Sequence, residues 1–153
     1  MRGPKPNLLF ISGWAFEPEA VEPFLGGLRD AFDLRLVSAE SLFEGAMPTS
    51  PDAARAFLDG LLAPAGRTFL AGWSLGGMIA MEIAAAAGPR ISGLVLAGTT
   101  ARFCSGQDFP EGAEEKQLRS MMLGLKRDPR KVLERFDLDC AHPHEPLPGP
   151  GSG

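Results

Sequence analysis

"FLAGWSLGGM", residues 69–78, decides how this chain is read. Three apolar residues, Phe69-Leu70-Ala71, run into a serine framed by glycines at positions 72 and 76. The run before it reads as a buried strand. Leu75 to Ala87, apolar nearly all round with Glu82 its only charge, reads as a helix that stops at Gly88-Pro89. Gly72-Trp73-Ser74-Leu75-Gly76 at such a strand-to-helix junction is the nucleophile-elbow pattern. A turn that tight holds Ser74 in an unfavourable backbone conformation and lifts its hydroxyl above the sheet. Side chains at 72 and 76 would collide with the neighbouring strand and helix, so glycine is needed there. Leu75 opens the helix, and its unsatisfied N–H points to where an oxyanion would form.

The same alternation extends outward from the motif. "NLLFIS" (7–12) is a short apolar run ending at Gly13 and reads as a buried parallel strand. Between Glu19 and Phe32, Val21, Phe24, Leu25, Leu28 and Phe32 recur at helical spacing, with Pro23 tolerated in the first turn. "DLRLVS" (33–38) alternates as a strand does. Ser50 caps a helix that has Pro51 at its first position and an apolar stripe of Ala54, Phe57, Leu58, Leu61 and Leu62. "RTFLAGW" and "ISGLVLAG" (91–98) are two further strands. The fold class is therefore α/β: a parallel sheet of about four strands with flanking helices joined by right-handed crossovers. The loop after the first strand, Ser12-Gly13-Trp14, is where a second oxyanion donor belongs, and the Trp14 N–H is the candidate. The Trp14 and Trp73 rings line an acyl pocket on this reading, and ordinary core packing is the alternative.

Beyond Gly98 the composition changes. "TTARFCSGQDFPEG" is a loop. Leu118, Met121, Met122 and Leu125 mark one amphipathic helix, and Asp128-Pro129 opens another carrying Val132, Leu133 and Phe136. "AHPHEPLPGPGSG" is a Pro/Gly tail that reads as disordered. The expected organisation is a core over 1–100, a helical segment over 101–140 and the tail over 141–153.

The net charge is −4, which argues against general nucleic-acid binding, and no segment is long and apolar enough to span a membrane. Cys104 and Cys140 lack metal-ligand spacing, and with no export signal they read as reduced thiols in a cytoplasm. Charge is unevenly spread: from Lys116 to Arg135, seven basic residues face only Asp128 and Glu134, a local +5. The segment is either a solvated helical face or a docking patch for an acidic partner.

Together, "LLFISGWAFEP", "FLAGWSLGGMIAMEIA" and "LVLAGTTARFCSGQDFPEG" resemble the α/β-hydrolase superfamily. Within it, the Gly13-Trp14, elbow and Arg102-Phe103 combination is most similar to the esterases of biotin synthesis that act on pimeloyl-acyl-carrier-protein methyl ester. The resemblance spans about residues 7–140 and implies that 1–100 are the first half of the hydrolase core and 101–140 the beginning of a helical cap. It implies hydrolysis of a carboxylic ester through an acyl-enzyme on Ser74, with no metal and no cofactor. Leu75 and Trp14 would supply the oxyanion N–H groups. It gives the basic residues, Arg119, Lys126, Arg127, Arg130, Lys131 and Arg135, an acidic carrier protein as partner.

Three departures stand out. Ser12 occupies the position of the usual histidine, and only six residues precede the first strand. The strands that bring a triad Asp and His do not follow, and His142 and His144, the chain's two histidines, fall in the Pro/Gly tail. The chain therefore reads as the first part of a hydrolase, its activity alone in doubt. Leu94, Val95 and Leu96 are expected on an open, self-associating sheet edge, and the helix after Ser74 is expected to lose part of its cover. Competing readings are another α/β-hydrolase (a thioesterase, lyase or general esterase) and a non-catalytic fragment that keeps the acidic-partner patch.

Overall fold

Asn7–Ile11 (β1) is buried along its whole length, as a strand flanked on both edges and both faces must be. The computed structural model describes residues 3–43, 50–62 and 66–142. The tail after His142, with His144, lies outside them. Two compact units divide the chain, Met1–Ala101 and Arg102–Gly153.

In the first unit, Asp33–Val37 (β2), Thr68–Trp73 (β3) and Ile91–Ala97 (β4) join β1 in a parallel sheet of order β2-β1-β3-β4. Alternation along the strands sends side chains to opposite faces. On one face Leu9, Ile11 and Leu70 pack with Leu58, Ile79, Ala80, Ile83 and Ala87. These last belong to the helices Pro51–Leu61 and Leu75–Ala87. On the other face Leu8, Phe10, Leu34 and Ala71 meet Val21, Leu25 and Phe32.

The segment covering that second face is not the single helix its spacing suggests. It is a 3₁₀ turn at Pro18–Ala20, a one-turn helix at Glu22–Leu25 (α1) and another 3₁₀ stretch at Gly26–Asp30. Pro23 lacks an N–H, and the Gly26-Gly27 pair weakens propagation, so a long helix cannot be sustained. Val21, Leu25 and Phe32 reach the sheet, whereas Phe24 is 79% exposed and Leu28 also faces solvent. Arg29 ties the segment together through a bidentate pair with Glu22 and a bond to the Leu34 carbonyl. The short helix Ala39–Phe43 (α2) has no apolar periodicity to announce it; Ser38 starts it by accepting the Ser41 N–H.

Pro51–Leu61 (α3) begins as its sequence requires: the Ser50 side chain accepts the Ala53 N–H at 3.2 Å, and Pro51 takes the first position. Leu75–Ala87 (α4) matches its expected limits. Its cover is partial: six of its residues are buried, Leu75, Met78, Met81, Ala84 and Ala86 are half-buried, and Glu82 and Ala85 are exposed. β1, β3, β4, α2 and α3 pack on it. β4 does stand at the sheet margin, paired with β3 alone among the described residues.

In the second unit, Cys104–Ala113 closes a compact loop through Ser105 N–H to Ala113 O and Ala113 N–H to Phe103 O. Glu115–Arg127 (α5) and Pro129–Ala141 (α6) follow, with Asp128 capping α6 by accepting the Lys131 N–H. The two helices approach so closely at Gly124 that a Cβ there would lie 2.8 Å from Val132 Cγ2. Neither helix contains a buried residue.

Replacing Ser50 by Ala removes the α3 cap. We expect a loss of about 1 kcal/mol, read as a lower urea midpoint with an unchanged slope.

Candidate active site at the strand-to-helix elbow

Ser74 stands between the last residue of β3 and the first of α4, at φ 54° and ψ −122°. Among the described residues, Ala15 is the one other non-glycine at positive φ. Such backbone costs about 1–3 kcal/mol and persists only where its surroundings over-determine it. The ties are explicit. Ser74 N–H donates to Ala97 O at 3.0 Å, and Ser74 O accepts from Gly77 N–H at 3.0 Å, Met78 N–H at 3.3 Å and the Thr99 hydroxyl at 2.7 Å. The Ser74 side chain makes no capping bond to its own helix.

Glycine is demanded on both sides by backbone contact. A Cβ on Gly72 would lie 2.5 Å from the Gly76 carbonyl carbon, and one on Gly76 would lie 2.6 Å from the Ile11 carbonyl carbon. The elbow is thus wedged between β1 and its own helix.

The loop after β1 meets the elbow from the other side. A Cβ on Gly13 would lie 3.2 Å from Ser74 Cβ, so Gly13 and Ser74 are in direct apposition. Gly13–Phe16 form a turn closed by Phe16 N–H to Gly13 O, with Ala15 at φ 63° in the position that usually favours glycine. Three contacts hold that turn. The buried Ser12 hydroxyl donates to Phe16 O at 2.5 Å, the Ala15 N–H donates to the Glu40 carboxylate at 2.6 Å, and the Phe16 ring lies 4.6 Å from that of Trp73. Trp14 sits within this turn, half-buried, and Trp73 is half-buried on the Leu8/Phe10 face. At the helix start, the Leu75 N–H finds no acceptor among the described residues. It is a preorganised donor at the positive end of α4.

Sequence reasoning finds Ser74, Leu75, Trp14 and Trp73, and the structure brings all four into the first unit around the elbow. It misses Thr99, Glu40 and Ser12. Their contributions are tertiary: each binds a backbone group that is distant in sequence or folded back upon it. Ser12 alone left a trace, as a hydroxyl ending an apolar strand.

The basic residues of the second unit divide into two groups. Arg119 pairs with Glu115, Arg130 with Glu134 and Arg135 with Asp139, each four residues away on its own helix. The Glu115 carboxylate holds the Arg119 guanidinium above its ordinary pKa through their hydrogen bond. Lys116, Lys126, Arg127 and Lys131 have no ion-pair partner among the described residues, and the last three lie where α5 passes into α6. His142 follows α6 as its cap residue. No group of acidic, His or Cys side chains among the described residues could hold a metal ion. Cys104 and Cys140 are free thiols, the latter pushed up in pKa by burial and then by Asp137 and Asp139.

The model of the alpha/beta hydrolase family matches residues 8–150. This chain belongs to the α/β-hydrolase family. It is 32% identical over 149 residues to the pimeloyl-[acyl-carrier protein] methyl ester esterase of Stenotrophomonas maltophilia (strain R551-3), covering 95% of this chain and 57% of the relative. To the protein of the same name from Xanthomonas campestris pv. campestris (strain B100) it is 31% identical over 134 residues, with 88% and 53% covered. This α/β-hydrolase chain therefore spans just over half the length of those relatives. A bromoperoxidase from Bacillus anthracis superposes with a TM-score of 0.65 at 20% identity, over 88% of this chain and 52% of that one. An esterase from Thermogutta terrifontis superposes with a TM-score of 0.62 at 19% identity, over 89% and 50%. Both likenesses establish the shared sheet-and-helix framework.

The backbone contacts around the elbow predict a sharp contrast between glycines. Gly76→Ala should destabilise the first unit by about 3 kcal/mol or more, since the colliding atoms are main chain. Gly60→Ala, in α3 with nothing within 4 Å, should instead stabilise by about 0.5–1 kcal/mol. Thermal melts of the two variants measure the difference.

Proposed function

We propose that this chain carries the nucleophilic half of a serine ester hydrolase, with Ser74 as the attacking residue. The observation that supports this most is the Ser74 conformation itself: a strained serine, uncommitted to helix capping, held beside an unsatisfied helix N-terminal N–H. In the proposed reaction the Ser74 hydroxyl oxygen bonds to the ester carbonyl carbon. The oxyanion that forms is stabilised by the Leu75 N–H and by the Trp14 N–H of the facing turn. The Ser74 proton passes to solvent. Collapse of the intermediate breaks the ester C–O bond, and the departing alkoxide takes a proton from water and leaves as the alcohol. Water then hydrolyses the acyl-enzyme to the acid and the free Ser74 hydroxyl. Trp14 and Trp73 form the apolar wall for the acyl chain.

The names of the relatives support an acyl-carrier-protein-linked methyl ester as substrate, and so a place in biotin synthesis. Among the described residues, Lys116, Lys126, Arg127 and Lys131 lack an ion-pair partner and so can meet an acidic carrier, whereas Arg119, Arg130 and Arg135 are engaged locally. The two free thiols fit a reducing compartment, the cytoplasm.

A fluorophosphonate probe tests the nucleophile. Ser74 should be modified slowly in this chain by itself, because no histidine occurs between Gly3 and Ala101 to accept its proton. Ser74→Ala should abolish the label. Rapid modification would show that a base is already in place.

Carrier docking has its own signature. Association with an acidic acyl-carrier protein should weaken steeply with salt, as exposed charges are screened beyond ~8 Å at physiological ionic strength. Reversing Arg127 and Lys131 to Glu should slow association while leaving the thermal midpoint nearly unchanged. Salt-independent affinity would return the cluster to a solvated surface.

The margin of the sheet supports self-association of the chain. Leu94, Val95 and Leu96 on β4 are 38%, 60% and 41% exposed, on an edge without charge or proline. Light scattering should show oligomers that Val95→Lys shifts toward a monomer near 16 kDa. A wild-type monomer would end this part of the proposal.

A further inference from the structure

Thr99 lies two residues beyond the end of β4 and does two things at once. Its hydroxyl donates to Ser74 O at 2.7 Å in a partly buried bond. Its side chain also fills the space over Gly77, where a Cβ would lie 2.7 Å from Thr99 Cβ and Cγ2. Two residues earlier, Ala97 O accepts the Ser74 N–H. Both backbone groups of Ser74 are therefore tied to one short segment at the end of β4.

The ties are not equivalent. Gly77 and Met78 also donate to Ser74 O, but they belong to α4 and move with it. The Thr99 bond is the one that fixes the Ser74 carbonyl to the sheet. The glycine wedge sets the positive φ of Ser74, and the Thr99 bond restricts its spread: without that bond the peptide after Ser74 would be freer to rotate. That freedom would let the hydroxyl drift from its place beside the Leu75 N–H.

We propose that Thr99 is a positioning residue that locks Ser74 in its strained conformation through its hydroxyl. The chemical consequence rests on the reading of Ser74 as nucleophile; the conformational claim does not. Two variants separate the hydroxyl from the packing. Thr99→Val keeps the shape over Gly77 and removes the donor. Thr99→Ser keeps the donor and removes the methyl.

The first readout is phosphonylation of Ser74 in the full chain by a fluorophosphonate, followed by intact mass. The Ser74 oxygen bonds to phosphorus, the P–F bond breaks, fluoride departs and the hydroxyl proton passes to solvent. We expect the rate to fall roughly tenfold in Thr99→Val, the factor carried by about one lost hydrogen bond, and to stay within about threefold of wild type in Thr99→Ser. A role in packing alone gives the opposite order and overturns the proposal, as does equality of Thr99→Val with wild type.

The second readout is amide hydrogen exchange at Ser74, Gly77 and Met78, followed by NMR. It should quicken at least about fivefold in Thr99→Val with Ile83 and Ala84 unchanged, since only bonds at the elbow are loosened. If wild type is not phosphonylated, the missing proton acceptor accounts for it and amide exchange alone decides Thr99. If Thr99→Val does not fold, Thr99→Ser decides: exchange close to wild type upholds the hydroxyl role, and loss beyond tenfold overturns it.

Discussion

Three backbones meet at the head of the sheet with no side chain between them. The ends of β1 and β3 and the first turn of α4 approach so closely that Gly72 and Gly76 are the two places where a single carbon would force main chain into main chain. Everything of interest in the first unit depends on that contact. It lets the chain reverse from strand to helix within one residue, and it leaves that residue, Ser74, at positive φ. It also brings the Gly13 turn against Ser74, so that a loop from the opposite side of the crossover faces the start of α4. Strain in one residue is offset by burial of apolar side chains from four strands and three helices on the face behind it.

Much of this was legible in the residues, and where it was, the signal was local. Gly-x-Ser-x-Gly between an apolar run and an apolar helix announces the elbow because every letter answers a steric demand within five residues. Ser50-Pro51 and Asp128-Pro129 announce helix starts for the same kind of reason, a side-chain acceptor beside a residue without an N–H. What could not be read were arrangements decided between segments. The spacing of Val21, Phe24, Leu25 and Leu28 suits a helix, yet the Pro23 and Gly26-Gly27 penalties break it into turns and leave Phe24 outside. Glu40 and Thr99 carry no mark of what they bind, because the donor that Glu40 meets and the acceptor that Thr99 meets are main-chain groups 25 residues away.

The charge run of the second unit shows a subtler limit. Counting from Lys116 to Arg135 isolates an excess of positive charge, but helices pair residues four apart, and two acids just outside those limits, Glu115 and Asp139, neutralise Arg119 and Arg135. Pairs of this exposure contribute little to stability. Their effect is on the field: among the described residues, what is left unbalanced is Lys116 at the start of α5 and a small cluster at the corner between the two helices, flanked by exposed Met122 and Leu123. A surface that mixes free cations with apolar side chains favours a partner that is acidic and amphipathic at once.

β4 has two neighbours of very different kinds. Along one side it is hydrogen-bonded to β3; along the other no strand pairs with it among the described residues. Marginal strands are the first to open in native-state fluctuations, at free energies well below that of global unfolding. Yet it is the end of this strand, through Ala97 O and Thr99, that fixes the peptide groups around Ser74. Were β4 to fray, those ties would open with it, and a polypeptide paired along its free edge would hold them closed. Such pairing would couple the conformation of Ser74, by mass action, to a surface away from the residue itself.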